Sequence, residues 1–324
     1  MSNVYRDAKW QLRPYQGGDE EGIVALWNES MPQDTVGPEL FRNRVLLDAN
    51  FDPAGTILAV DEAGQPAGFI LAVRRKTPIF GADLEPENGW ITIFFVKPSW
   101  RGRGMGKALL NASEAFLRSN GRKNIFVSSY SPNYFFPGVD KEMYRDAVAF
   151  LEKNGYGVLY QAVAMDKNLV GFAVPDDVKA LQARREAEGY RFGYLNSAFL
   201  TRTIAFATEN FGVDWGRAIR EGVARGLGFD RFLIATRGEE VVGFTVFGAY
   251  DNVAERFGPF GVAEELRGAG LGKILLYETL DLMRQRGSHG AWFLWTGEES
   301  AAGKLYRRAG FTITRRFNVM KKAL

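Results

Sequence analysis

The chain has 324 residues, a length suited to two ordinary domains, and 46% of them are hydrophobic, which is enough for two buried cores. It contains no cysteine, which excludes disulfides, thiolate metal sites and a cysteine nucleophile, and only one histidine, His289. The net charge of +3 is too small to indicate a nucleic-acid surface. No apolar run approaches a membrane span and the start of the chain is polar, so we expect a cytoplasmic protein without a leader peptide.

The first half of the chain is predicted to mix strands and helices, with a β-hairpin before a β-α-β unit. A loop rich in proline and aromatic residues follows that unit, and its aromatic side chains either pack as a plug or line a substrate wall. The predicted elements are strand 10–13, a helix capped at Asp19, helix 38–47, strands 56–60, 67–73 and 90–96, a helix ending at Gly121, strand 125–129, loop 131–140, helix 142–154 and strand 158–165.

The same pattern restarts after a charged segment, 175–188, which we interpret as a linking helix. Corresponding residues of the two halves are 166 positions apart from Arg101 and Arg267 onward. At the glycines that end the later helices they are only 155 positions apart. The first half therefore has eleven extra residues, which fall in the aromatic loop. We therefore predict two domains, 1–174 and 175–324. The predicted elements are strand 191–195, a helix capped at Ser197, strands 231–236, 241–247 and 257–262, a helix ending at Gly287, strand 291–295, a helix ending at Gly310 and a strand from Phe311.

One glycine-rich stretch occurs in both halves. Arg-Gly-Arg-Gly-Met-Gly-Lys occupies Arg101–Lys107, and Arg-Gly-Ala-Gly-Leu-Gly-Lys occupies Arg267–Lys273. Each copy lies between an apolar run and an amphipathic helical pattern, which indicates a strand, a turn and a helix. Glycines allow positive φ angles and close approach of the backbone, and free N–H groups at a helix N-terminus attract anions. Both stretches therefore predict a phosphate seat, to which the arginine adds a forked donor and the lysine a point charge.

Three phosphate-binding signatures compete for this stretch. The Rossmann fingerprint requires G-x-G-x-x-G, and here the third glycine comes one residue too early. The Walker A loop requires Ser or Thr after its lysine, whereas Ala108 and Ile274 follow the two lysines. The R-x-x-G-x-G turn, which GNAT acyltransferases use to hold the pyrophosphate of coenzyme A, fits both copies. The chain therefore resembles the GNAT N-acetyltransferase family in both halves.

The resemblance implies an α/β fold of the mixed α+β kind, with two GNAT domains that are each a twisted mixed sheet flanked by helices. It implies acetyl-CoA as cofactor, with the pantetheine arm between a splayed fourth and fifth strand. Pro259 supports an irregular strand there, because proline cannot donate a ladder hydrogen bond. The implied cofactor-binding residues are Phe94, Phe95, Val96, Arg101, Gly102, Arg103, Gly104, Met105, Gly106, Lys107, Phe260, Gly261, Val262, Arg267, Gly268, Ala269, Gly270, Leu271, Gly272 and Lys273.

The resemblance also implies direct attack of an amine on the thioester. Such a reaction needs an oxyanion donor, implied to be a backbone N–H near Val262, an acid for the leaving thiolate, and a base for the proton of the amine. Many family members carry a tyrosine four residues before the glycine-aromatic pair that ends the last helix. Tyr306 has this position in the second half, whereas Leu151 has it in the first. We therefore expect catalysis in the second half with Tyr306 as the acid.

Glu255 is the candidate base, since the family often has a glutamate on the incoming strand. Counted back from Val262 it is one residue further away than usual, so strand alternation could turn it to the other face. A bulge near Pro259 would restore its direction. The other interpretation of Glu255 is a solvated carboxylate at the edge of the sheet.

Two other functions stay open at this point. One is a non-catalytic acyl-CoA sensor or scaffold, which Tyr306 disfavours. The other is a Fem-type aminoacyl transferase, which shares a tandem GNAT fold but does not need the pyrophosphate turn. The expected acceptor is a small-molecule or peptide amine, and the resemblance implies that 210–220, with Asp214 and Trp215, line its pocket. We expect no metal, nucleic-acid or membrane partner, and the sequence leaves the oligomeric state open.

Overall fold

The computed structural model describes residues 9–79, 81 and 83–324. The predicted polar start of the chain therefore lies largely outside the described residues. Contacts divide the chain into two units, of which the first comprises Met1–Gln161 and Phe317–Leu324 and the second Ala162–Arg316. The boundary at 174/175 that we infer from the sequence lies further along the chain and stays a prediction.

The sheet of the first unit is antiparallel through its first four strands and parallel between the fourth and the fifth. Helices α1 and α2 pack on one face of it and α3 on the other, so that two apolar clusters enclose the sheet. The elements are β1 (Trp10–Pro14), α1 (Glu20–Ser30), α2 (Pro38–Phe41), β2 (Thr56–Asp61), β3 (Pro66–Val73), β4 (Asn88–Val96), α3 (Met105–Ser119), β5 (Asn124–Val127), β6 (Val139–Asp140) and α4 (Arg145–Lys153).

The second unit repeats this order. Its first four strands form an antiparallel sheet, which α6 and α7 cover on one face and α8 on the other. Two strands, β7 (Gly157–Asn168) and β13 (Thr312–Ala323), cross the boundary between the units. The remaining elements are α5 (Asp176–Ala187), β8 (Tyr190–Tyr194), α6 (Leu200–Phe211), α7 (Val213–Ala224), β9 (Phe232–Arg237), β10 (Glu240–Phe247), β11 (Phe257–Val262), α8 (Leu271–Gln285), β12 (Gly290–Thr296) and α9 (Ala301–Arg308).

The last strand of each unit comes from the other half of the chain. In the first unit β5 pairs with 320–323 of β13, and in the second unit β12 pairs with 165–168 of β7. A partly buried ion pair holds the end of β13 in the first unit, because the Lys322 ammonium lies 2.8 Å from the buried Glu114 carboxylate on α3. The Tyr156 hydroxyl donates to the same carboxylate at 3.0 Å. Burial, and next to it the Glu114 charge, raises the pKa of Tyr156.

Most predicted elements coincide with observed ones, but α7 was not predicted, the predicted loop 131–140 ends in the short strand β6, and several other elements differ in detail. The predicted helix 38–47 is a short α-helix followed by a π-helical turn, Arg42–Leu46. Asp19 makes no capping bond, because its carboxylate binds Arg13 instead. The helix predicted to begin at Ser197 has Phe199 at its N-cap. None of the helices in the described part of the chain combines the length and the apolar character that crossing a bilayer requires.

The ion pair of Lys322 predicts a stability effect. Lys322→Met should lower the free energy of unfolding by about 2 kcal/mol, because it leaves the Glu114 carboxylate buried without its cation. Lys321→Met, on the same strand, is the matched control, since the Lys321 ammonium lies over the face of Phe126 and forms no ion pair with any described residue. Urea unfolding of the three proteins measures the difference, and equal midpoints for the two variants would contradict the role of the pair.

Candidate functional site

In the first unit the glycine-rich stretch forms an exposed turn into α3. Gly102 and Gly104 have φ angles of 74° and 83°, in the left-handed region that favours glycine. Gly104 is the N-cap of α3, so the first N–H groups of the helix have no partner within the helix. Arg101 is already engaged, because its guanidinium donates to the carbonyls of Val96 and Ser30, each at 3.1 Å. It therefore fixes the turn to its surroundings.

In the second unit the equivalent turn has the same backbone and different neighbours. Gly268 and Gly270 have φ angles of 88° and 85°, and Gly270 is the N-cap of α8. Its two cations bind carboxylates: Arg267 lies 2.6 Å from Glu264, and Lys273 lies 2.6 Å from Asp177 of α5. Leu181 and Arg185, also on α5, contact the turn. The sequence analysis missed this helix as a neighbour of the turn, although the spacing of 177, 181 and 185 forms one helical stripe.

Each unit has a pair of parallel strands that separate close to the turn. In the first unit β4 continues to Val96, but its pairing with β5 ends at Ile91. In the second unit β11 and β12 are joined only through the bridge between Arg256 and Trp292. This bridge has the same register as the pair of Trp90 and Phe126 in the first unit, at the 166-residue offset. Both units therefore contain the splay that the family resemblance implies.

The edge of the splay presents unpaired backbone donors. The N–H of Ala263 donates to Val242 in β10 at 2.9 Å, and the N–H of Lys97 donates to Ala67 in β3 at 2.9 Å. Since successive N–H groups of a strand point to opposite edges, those of Val262 and Val96 point into the splay. A slot with an exposed backbone edge and a positive helix end beside it fits an amide-containing arm attached to a pyrophosphate. The residues present therefore fit coenzyme A.

A bulge in β11 changes which side chains share a face. Thr245 pairs with Phe260, but Phe247 pairs with Phe257, so β11 has one residue more than its partner over this stretch. Phe257 and Phe260 consequently lie on the same face, and both rings are 6.0 Å from the Tyr306 ring. Glu255 is two residues before Phe257, in the turn that leads into β11. That its carboxylate shares the face of the predicted acid stays a prediction.

Tyr306 lies on α9 inside a cage of four phenylalanine rings. The ring of Phe293 is 4.4 Å away and that of Phe311 is 5.5 Å away, and Phe257 and Phe260 complete the cage. The side chain is 7% exposed, and burial raises the pKa of its hydroxyl, so it stays protonated through the neutral range. In the described residues no protein group forms a hydrogen bond with this hydroxyl. Its proton is therefore not committed to another protein group.

Glu255 is half-buried at the point where the splay begins. Its carbonyl accepts a hydrogen bond from Trp292 on β12 at 2.9 Å, so its backbone is fixed. Its carboxylate has no hydrogen-bond or ion-pair partner among the described residues. The first unit has Gly89 at the equivalent position, where an added Cβ would be 2.7 Å from Leu117 on α3. That unit therefore lacks a carboxylate at this position.

The aromatic loop of the first unit packs against α1. The Phe135 ring is 4.8 Å from that of Trp27 on α1, and Trp27 contacts Phe95 of β4 at 5.4 Å. Arg44 lies over Phe135 and donates to the carbonyl of Tyr134. Of the two interpretations of this loop, the packed plug is the one observed. The extra residues of the first half thus occupy space next to its splayed strand.

The second unit has an aromatic wall in place of that plug. The Phe211 ring lies flat against Gly261, where a Cβ would meet it at 2.3 Å, so only glycine allows this contact. Trp215 stacks on Phe211 at 4.8 Å and contacts Phe244 edge-on. The corner between α6 and α7 is thereby brought next to the splayed strand. Asp214 is in the first turn of α7, on the same corner.

Two other candidate chemistries find no geometry in the described part of the chain. His289 is exposed in the turn before β12. Its backbone carbonyl accepts a hydrogen bond from the N–H of Leu169, and its side chain forms no hydrogen bond with the described residues. Within residues 9–79, 81 and 83–324, no group of three or more His, Asp or Glu side chains is arranged to hold a metal ion. The turns, the splays and the Tyr306 cage are therefore the features that point to chemistry.

Comparison with known proteins finds one family in both halves of the chain. The model of the acetyltransferase (GNAT) family matches residues 21–156, and that of an acetyltransferase (GNAT) domain matches residues 228–313. Mycothiol acetyltransferase from Propionibacterium freudenreichii subsp. shermanii is 37% identical over 115 residues, which are 34% of this chain and 35% of that relative. The match thus spans about a third of the relative's length.

Solved structures share the fold at low sequence identity. The glucosamine N-acetyltransferase region of a fungal multi-domain β-N-acetylglucosaminidase has a TM-score of 0.80 at 21% identity, over 97% of this chain and 38% of that one. A GCN5-related N-acetyltransferase from Sphaerobacter thermophilus has a TM-score of 0.70 at 18% identity, over 97% and 96% of the two chains. At these identities the likeness establishes the fold alone. Together with the two family models, it identifies the chain as a member of the GNAT acetyltransferase family with two GNAT domains in tandem.

Proposed function

We propose that the protein is an acetyl-CoA-dependent N-acetyltransferase whose second unit transfers an acetyl group to a primary amine. The observation that carries this proposal is the combination, in one unit, of a splayed strand, a left-handed glycine turn and a caged phenol. When bound, acetyl-CoA supplies an activated thioester. The residues that would hold it are the backbone of 260–262 and the turn 267–273.

Tyr306 is proposed as the acid that protonates the leaving thiolate. A free phenol has a pKa near ~10, and burial in the phenylalanine cage raises the pKa of Tyr306. A thiolate in the same apolar surroundings is destabilised in the same direction, because both groups are anions when deprotonated. The difference between the two pKa values is therefore changed less than either value, and proton transfer to the thiolate remains feasible.

Glu255 is proposed to accept the proton of the attacking amine. It lies in the turn that leads into β11, two residues before Phe257 of the Tyr306 cage, and its carboxylate has no partner among the described residues. The N–H of Val262, which points into the splay, is proposed as the oxyanion donor. The amine would enter along the corner of α6 and α7, where Trp215 offers a flat apolar wall. A cytoplasmic location stays a prediction.

The first unit is proposed to bind coenzyme A without catalysing. Its turn has the same left-handed glycines, and its splay has the same register. Yet Leu151 stands in place of the tyrosine, Gly89 in place of the glutamate, and Phe135 fills the acceptor side. A non-catalytic sensor function for the whole chain is the alternative, and turnover by the second unit would exclude it.

A matched pair of variants separates the two cofactor sites. Gly102→Asp and Gly268→Asp place a carboxylate in one turn each. An added Cβ meets nothing within 4 Å at either position, and the positive φ angles of 74° and 88° strain the Asp variants and their Asn controls alike. Because the carboxylate repels the pyrophosphate, calorimetry should give about two acetyl-CoA per wild-type chain and one per variant chain. Gly102→Asn and Gly268→Asn are the neutral controls. A wild-type stoichiometry of one would mean that one turn is only structural.

The same variants should differ in turnover. Release of free thiol, measured with a panel of amines, should stay within a few-fold of wild type for Gly102→Asp and fall at least about 100-fold for Gly268→Asp. Equal losses in both variants would reverse the assignment of catalysis to the second unit.

Tyr306→Phe tests the acid. The substitution retains the ring in its cage and removes only the hydroxyl, so kcat should fall by about 10²–10⁴ while the affinity for acetyl-CoA hardly changes. Tyr277→Phe in α8 is the control, because its hydroxyl donates only to the Arg308 carbonyl, at 3.4 Å. Unchanged turnover would mean that water or another group is the acid, and lost binding would mean that Tyr306 acts in packing.

Glu255→Gln tests the base. The amide has the same size but cannot accept a proton, so kcat/KM should fall by about 10²-fold or more near neutral pH. The loss should shrink as the pH rises, since a larger fraction of the acceptor amine is then already deprotonated. A pH profile that parallels the wild type at full activity would identify Glu255 as a solvated edge carboxylate.

A further inference from the structure

Helix α5 contacts the second glycine turn through one stripe of side chains. Its residues Asp177, Leu181 and Arg185 are spaced by four, so they share a face of the helix. Asp177 lies 2.6 Å from the Lys273 ammonium, and the Arg185 Nε donates to the carbonyl of Ala269 at 2.7 Å. The sequence assigned this helix only as a linker. Its contacts instead tie it to the turn that would hold the pyrophosphate.

The Arg185 bond fixes the orientation of one peptide group. In a planar trans peptide, the C=O of one residue and the N–H of the next point in opposite directions. Because Arg185 holds the Ala269 carbonyl toward α5, the N–H of Gly270 is directed away from α5. This N–H belongs to the N-cap residue of α8, where the helix dipole favours an anion. Arg185 therefore binds the turn on the side opposite to the one where an anion would bind.

Two further contacts make this support rigid. The Nη1 atom of Arg185 lies 2.6 Å and 2.8 Å from the two carboxylate oxygens of Glu188, one turn further along α5, so the guanidinium is held at both ends. Leu181 lies against the Cα of Gly270, where an added Cβ would meet its side chain at 2.7 Å. The peptide is therefore confined by a charged hydrogen bond and by packing. A turn held in its binding conformation loses less entropy when the ligand binds.

We propose that Arg185 is a positioning residue for the cofactor turn of the second unit. Through its bond to Ala269, it directs the Gly270 N–H at the pyrophosphate, and Leu181 prevents this peptide from turning over. The proposal rests on the proposed function, since it requires that this turn holds coenzyme A. The first turn is fixed differently, because its own Arg101 donates to the carbonyls of Val96 and Ser30.

The test uses the full chain with the first site disabled by Gly102→Asp, so that calorimetry reports the second site alone. In this background Arg185→Met should weaken coenzyme A binding about tenfold, the loss of one charged hydrogen bond to the backbone. Binding of ADP, which carries a pyrophosphate but no pantetheine arm, should weaken by the same factor. Arg184→Met is the matched control, since Arg184 is the exposed neighbour on the same helix. It should leave both affinities unchanged.

The outcomes separate the two proposals. If the Gly102→Asp protein binds no coenzyme A, the proposed function of the second unit fails, and the role of Arg185 with it. If this protein binds coenzyme A and Arg185→Met binds it equally well, only the positioning role is overturned.

Arg185→Lys covers the case in which the methionine variant does not fold, because lysine retains the charge and part of the packing. An affinity of the lysine variant below that of wild type supports the role, and a wild-type affinity overturns it.

Discussion

The separation of two parallel strands is the constraint on which both units depend. Backbone N–H and C=O groups on the inner side of a sheet normally find partners in the next strand, and unpaired ones are costly. Here β4 leaves β5 after Ile91, and β11 meets β12 at a single bridge. The exposed edges can be satisfied by a ligand that carries amides, and the following turn offers N–H groups to a phosphate. The gap between the separated strands and the glycine turn follow one another along one strand. A single local geometry would therefore hold both the pantetheine arm and the pyrophosphate of coenzyme A.

The bulge in β11 links this slot to the proposed chemistry. Without the extra residue, Phe257 and Phe260 would lie on opposite faces, and Tyr306 could not contact both rings. Pro259 lies inside the irregular stretch, where a residue without an N–H costs no ladder bond. The first unit has the same bulge in β4, where Leu71 pairs with Ile93 and Ala72 with Ile91. The cage of the proposed acid thus depends on a backbone irregularity that both units share, and the side chains placed on it make the difference.

The local chemistry of the site could be predicted from the sequence better than its surroundings. Glycine spacing fixed the left-handed turns and the helix starts, because few other residues adopt those φ angles. The position of Tyr306 before Gly310 also gave its place on the last helix. The stripe of α5 escaped notice, because its low hydrophobicity looked like that of a solvated linker and its contacts are polar. The exchange of β7 and β13 was not predictable either, since strand patterns do not specify which sheet a strand joins.

The proposed division of roles has a thermodynamic rationale within the first unit. Its sheet includes 320–323 of β13, and the sheet of the second unit includes 165–168 of β7. A ligand that binds only the folded state stabilises it by RT ln(1 + [L]/Kd), about 2.7 kcal/mol at a hundredfold excess over Kd. Coenzyme A bound in the first turn would stabilise the first unit in this way. A unit proposed to bind without catalysing could lack the acid and the acceptor space without losing this contribution, because neither takes part in holding the pyrophosphate.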